Sequence, residues 1–207
     1  MTNQTQKGFT LVEMLISLSI LAVITAFTTA NFSAARKGDE VRLSSQLVAS
    51  ALRRVQSAAT GGELIFFCNG GARANMTCPG GTAAECPGGG TCSHEVPHGY
   101  GMHFTTVAAG AKRMIYFADI NGNHAYDAGE DVRNDNVSPG VQVSASSLLI
   151  GATSVPTLDI VFDPPVPTAY FNNATSTAIA SISLTHAVTA QVKSVSVNRI
   201  SGQVNAN

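Results

Sequence analysis

The sequence predicts an α+β fold: one long N-terminal α-helix packed on an antiparallel β-sheet domain. Three observations predict it. The stretch from Met14 to Ala35 carries no charge, and one-sided apolar spacing then continues as far as a Gly61-Gly62 stop. Beyond Gly62 the chain breaks into short runs of strand formers bounded by Gly, Pro, Asn or Asp. Helical and strand-forming segments are therefore segregated along the chain, as in α+β rather than alternating α/β proteins.

The N-terminal elements come first. Residues 1–8, MTNQTQKG, are polar, with Lys7 as the one charged side chain. Residues 9–35 follow as an apolar segment. After Glu13 no charge appears until Arg36. As a helix, the uncharged run is about 33 Å long at ~1.5 Å per residue, enough to cross a hydrocarbon core of about 30 Å. A polar leader precedes this run and no A-x-A-like site follows it, unlike an ordinary secretory signal. Residues 36–62 then read as an amphipathic continuation, with Val41, Leu47, Val48, Ala51, Leu52, Val55, Ala58 and Ala59 at helical spacing. The whole is one helix from about Thr10 to about Thr60, membrane-embedded in its first half and packed on a domain in its second.

Residues 63–207 form the β-rich part. Strand-like runs are Glu63–Cys68, Gly99–Thr106, Lys112–Ala118, Val141–Ser144, Leu158–Phe162, Ala178–Leu184, Gln191–Asn198 and Gly202–Val204. Residues 69–98, rich in Gly and Pro, read as a long surface loop. Cys68, Cys78, Cys86 and Cys92 all fall at or within it. In an extracytoplasmic setting they make two disulfides, with three connectivities open. Zinc on Cys86, Cys92, His94 and His98 is the weaker reading, because the ligand pairs are too close for a finger. His103 and His124 read as surface or strand-end residues, and His186 as a turn residue.

Composition limits function. Charged residues are 12% of the chain, about half the usual share, which suits a surface that packs against copies of itself or a membrane. Net charge is −1, without a basic run beyond two residues. This argues against a nucleic-acid partner, whose phosphates require clustered Lys and Arg. Nucleophile elbows, P-loops and dinucleotide fingerprints are missing from the sequence, so no catalytic residues are assigned.

Glu13 is costly inside an apolar run, by roughly 2.5–3.5 kcal/mol on insertion scales. Its setting, Lys7-Gly8-Phe9-Thr10-Leu11-Val12-Glu13, resembles the processing motif of type IV prepilins and type II secretion pseudopilins. The resemblance implies a pilin-like fold and cleavage by a prepilin peptidase between Gly8 and Phe9. It also implies N-methylation of the Phe9 amine and pairing of that amine with Glu13 of a neighbouring subunit. A buried carboxylate and a buried ammonium need one another once both leave water. The position of the proline found in many major pilins holds Ala30 here. The tail KSVSVNRISGQV and the segment FADINGNHAYDAGED resemble minor pilins and pseudopilins of the pseudopilin H and fimbrial T group.

That resemblance implies a structural subunit of a pilus or secretion pseudopilus. Its partners are other pilin or pseudopilin subunits, the prepilin peptidase and an inner-membrane assembly platform. The precursor crosses the inner membrane once with its domain outside. The rival expectation is a membrane-anchored extracellular binding module that never polymerises.

One further cluster carries oxygen ligands. With Asp119 as the first position, Asn121, Asn123, Ala125 (through its carbonyl), Asp127 and Glu130 fall at EF-hand ligand positions, suited to a structural Ca²⁺. His124 stands where that loop has glycine. The competing reading is two tight turns, at Asn121-Gly122 and at Asp127-Ala128-Gly129.

Overall fold

The computed structural model describes residues 10–107, 111–166 and 168–207. Helix α1 spans Leu11–Gly61, 51 residues without a break. Thr10 starts it with a reciprocal capping box: its hydroxyl accepts from the Glu13 N–H, and the Glu13 carboxylate accepts from the Thr10 N–H. Gly62 ends it in the left-handed conformation, φ +61°, with the Glu63 N–H returning to the Ala58 carbonyl. Glycine takes that backbone geometry at no steric cost.

The strands are β1 (Ile65–Asn69), β2 (Thr91–Glu95), β3 (Gly99–Thr105), β4 (Arg113–Asp119), β5 (Asp131–Asn136) and β6 (Val141–Ile150). They continue with β7 (Thr153–Ser154), β8 (Thr157–Phe162), β9 (Ala169–Phe171), β10 (Ile179–His186), β11 (Val192–Asn198) and β12 (Val204–Ala206). All pair antiparallel. Two five-stranded sheets result, ordered β5-β4-β3-β8-β9 and β12-β11-β10-β6-β7, plus a β1-β2 ribbon.

Both sheets turn an apolar face to α1. Val41, Val48, Leu52, Val55 and Ala59 of the helix share one buried core with Tyr100, Phe104, Met114, Ile160 and Phe171 of one sheet and Leu148, Ile182, Leu184, Val195 and Val197 of the other. Alternation along β10, from Ala180 through Ile182 and Leu184, is the period-two signature of a half-buried strand. Polar ties reinforce the seam: Arg53 donates to the Val204 carbonyl at 2.9 Å and the Ser138 N–H donates to the Ser44 hydroxyl at 3.3 Å.

The single expected sheet is thus two, and segment 69–98 is more ordered than a loop. It holds β2 and a 3-10 turn at Ala83–Glu85. Strand β2 (TCSHE) has little intrinsic strand signal, but it lies in register with β1, Cys68 opposite Cys92. Strand β5 (DVRNDN) was hidden by its charges and is held at a sheet edge by β4. His186 is not in a turn but ends β10, buried, its Nδ1 accepting from the N–H groups of Val188 and Thr189.

Candidate assembly site

The stem of α1 is the most exposed apolar surface of the molecule. Leu11–Thr29 has a mean hydropathy of 2.2, and none of it is covered by the rest of the chain. Leu11, Leu18, Leu21, Val23 and Phe27 are all more than 60% exposed. Patches of that extent on soluble monomers mark a membrane or an interaction surface. Hydroxyls along the stem are silenced locally. Ser17, Ser19 and Thr25 each donate to the carbonyl four residues back, at 2.7–2.8 Å, which leaves them no unmet hydrogen bond in an apolar medium.

Glu13 is the one acid in this stem. Its Oε2 accepts from both the Thr10 N–H and the Thr10 hydroxyl, at 3.0 Å each. Thr10 is therefore a site residue that the sequence reading passed over, although Thr-x-x-Glu before an apolar run is the capping-box signal. The expected cleavage bond, Gly8–Phe9, and the Phe9 amine lie outside the described residues.

Residues 3–29 match the family model of the prokaryotic N-terminal methylation motif. That motif is the type IV pilin and pseudopilin signature. Proteins with the pilin motif are of a structural kind, and the motif points to membrane association and to assembly with pilin subunits. The motif and the uncovered apolar stem are consistent with a membrane-anchored precursor. No curated protein and no solved structure matches the chain.

The cysteines resolve into Cys68–Cys86 and Cys78–Cys92. These staples fix the β1-β2 ribbon beyond the end of α1, where the Tyr100 hydroxyl donates to the Glu63 carbonyl. The residues weighed for zinc are dispersed. Cys86 and Cys92 belong to different disulfides, the His94 ring stacks on Phe66 at 4.0 Å, and His98 Nδ1 meets the Ile120 carbonyl at 2.8 Å.

The 119–131 loop folds back over the outer face of the β3-β4-β8 sheet. Asp119 is buried; its Oδ1 accepts from the N–H groups of Gly122 and Asn123 and its Oδ2 from that of His124. Glu130, also buried, accepts from the Ile120 and Asp127 N–H groups. Asn121 and Asn123 turn their amide nitrogens toward Asp127 Oδ2, at 2.7 and 2.8 Å, and their oxygens accept from backbone N–H groups, of Asn123 and Ala125 respectively. Burial pushes the Glu130 carboxyl up to about 7, against the pull of its two N–H donors, and the charges of Asp119 and Asp127 add to the rise.

The expected misfit at His124 has a structural answer. It takes φ +56°, the left-handed conformation usually left to glycine. Two clamps hold the loop down. His124 Nε2 meets both Asp163 oxygens at 3.1 Å while its ring stacks on Tyr170, and the Tyr126 N–H donates at 3.2 Å to Asp159 Oδ2, whose Oδ1 is met by His103 Nδ1 at 2.6 Å. These His–Asp partners are 39 and 56 residues apart, so no local pattern announces them.

Proposed function

We propose that the chain is a structural subunit of a type IV pilus or a type II secretion-like pseudopilus, assembled through α1 after removal of residues 1–8 and methylation of Phe9. The supporting observation is the uncovered Leu11–Thr29 stem with its single carboxylate. In the membrane that stem is solvated by lipid. On leaving, its apolar surface has to be covered by the stems of neighbours. Glu13 then exchanges the Thr10 donors, neutral ones, for the ammonium of an adjoining Phe9, a charge-assisted partner. One polar pair in an otherwise apolar bundle fixes axial register.

The sheet domain forms the outer shell, and its own edges do not compete with this mode of assembly. Edge strands β7, β9 and β12 are two or three residues long, and β5 alternates charge and amide groups. Short or charged edges block strand-to-strand growth. Mass spectrometry of the protein in sheared surface filaments tests the proposal. It should find eight residues removed and one methyl added. A mature chain that keeps its first eight residues, or is cut after the apolar run, overturns it.

A Ca²⁺ ion in the 119–131 loop is a second proposal. Its support is the EF-hand spacing of the oxygen-bearing residues and the repulsion that Asp119 and Asp127 exert on the Glu130 carboxylate. The ligand set would be Asp119, Asn121, Asn123, the Ala125 carbonyl, Asp127 and Glu130, and the ion would neutralise the buried carboxylates.

A further inference from the structure

The end of the domain that faces the stem is basic, in a chain whose net charge is −1. Two turns lie side by side against the helix there. The Ala187 N–H donates to the Gly140 carbonyl at 2.9 Å, and His186 Nε2 stands 3.5 Å from Glu40 of α1. A side chain added at Gly140 would meet Glu40 and His186 within 3 Å, which shows how close these pieces sit. Lys112 reaches the same corner, donating to the Pro139 carbonyl at 2.6 Å. Arg42 and Lys193 line a surface cavity of about 140 Å³ together with Ser45 and Gln46. Arg36 sits over the Phe32 ring at 4.9 Å, with Lys37 beside it in sequence. Five cations and two acids, Asp39 and Glu40, thus gather at this end, with Asn207 also lining the Arg42–Lys193 cavity and Glu40 engaged by His186.

Apolar tips accompany the charges. Val188 is 73% exposed in the turn between β10 and β11, and Val192 is 55% exposed beside Lys193. The uncharged run ends at Ala35, so residues 36–42 lie within about 10.5 Å of its end at ~1.5 Å per residue. A headgroup layer is roughly 5–7 Å thick on each side of the hydrocarbon core. Arg36 and Lys37 fall inside that layer, and Arg42 stands just above it, close enough for its long side chain to reach down.

We propose that this corner rests on the leaflet from which the stem emerges. Arg42 and Lys193 take the phosphates of anionic phospholipids, and Val188 enters the boundary with the acyl chains. The docked state holds the domain against the bilayer before the subunit is extracted. The inference rests on the membrane-anchored reading above. Each basic residue near an anionic surface contributes about 1 kcal/mol, or roughly fivefold in binding, and the attraction is screened by salt.

Hydrogen exchange of the full chain in nanodiscs tests it, comparing phosphatidylcholine with a phosphatidylcholine–phosphatidylglycerol mixture. Amides of residues 187–193 should exchange about tenfold more slowly in the anionic discs. Arg42→Gln with Lys193→Gln should remove that difference, as should high salt. Equal exchange in both lipids, with the stem protected in both, overturns the lipid contact alone. A stem unprotected in both overturns the membrane-anchored reading beneath it. Equal protection of the detergent-solubilised chain by inorganic phosphate makes this a site for soluble anions and also overturns the proposal.

Discussion

The two halves of α1 are one uninterrupted helix, yet they answer to different surroundings. From Leu11 to Thr29 no side of the helix is covered by the domain. From Val41 to Ala59 one side is sealed by both sheets, with Val48, Leu52 and Ala59 inaccessible. Hydrophobicity alone does not separate them. What does is periodicity: the first half is apolar all round, as lipid or a helix bundle requires, while the second keeps Arg42, Gln46, Arg53 and Arg54 off its packed side. Stability of the fold should therefore reside in the second half and assembly in the first.

Substitution on either side of that division tests it. Glu13→Ala should leave the domain folded but lower incorporation into filaments by a hundredfold or more, since an unpartnered buried charge costs about 3–5 kcal/mol. Counting the subunit in sheared filaments against its membrane pool measures this. Normal incorporation would show that assembly does not depend on Glu13, whereas absence of the unaltered chain from filaments would favour the non-polymerising anchor. Leu52→Ala should do the reverse, costing about 2–5 kcal/mol of domain stability in denaturant unfolding through the cavity it leaves.

Cys78→Ser with Cys92→Ser should cost about 3 kcal/mol by freeing a 14-residue separation. That loss should appear as early proteolysis within residues 69–98, with the sheets intact.

The buried carboxyl of Glu130 adds a pH dependence confined to the domain. Its folded value is raised to about 7 from 4.5, so the folded state holds its proton more tightly than the unfolded chain. Stability from this group is complete below about pH 4.5 and falls as pH rises to about 7. Thermal unfolding should show Tm falling by a few degrees across that window, and Glu130→Gln should flatten the slope. Adding about 10 mM Ca²⁺, ample for a weak extracellular site, should raise Tm above pH 7. An unchanged Tm would leave the loop closed by its own hydrogen bonds. Smallest of all, Leu21→Ala in the stem should shift detergent-solubilised domain unfolding by less than about 0.5 kcal/mol.

Local pattern made the helix legible, and with it Glu13, because charge spacing and Gly62 act within a few residues of themselves. Strands β3, β4, β8, β10 and β11 were legible as strand-forming runs bounded by turn residues, with clear alternation in β10. Strands β2 and β5 were not: their residues would not form strands alone and are held by neighbours. The split into two sheets was equally hidden, since it depends on β6 joining β10 rather than β4. Cysteine pairing and the His–Asp clamps rest on contacts between distant residues. The oxygen-rich loop was visible as a cluster, but its arrangement was not, because the backbone supplies most of the donors to its carboxylates.

With no proline and no break in its 51 residues, α1 is about 76 Å long at ~1.5 Å per residue. Its base is the uncovered apolar stem and its top meets the disulfide-stapled ribbon. A machine that lifts the base by one step lifts the ribbon by the same step, with no slack to take up.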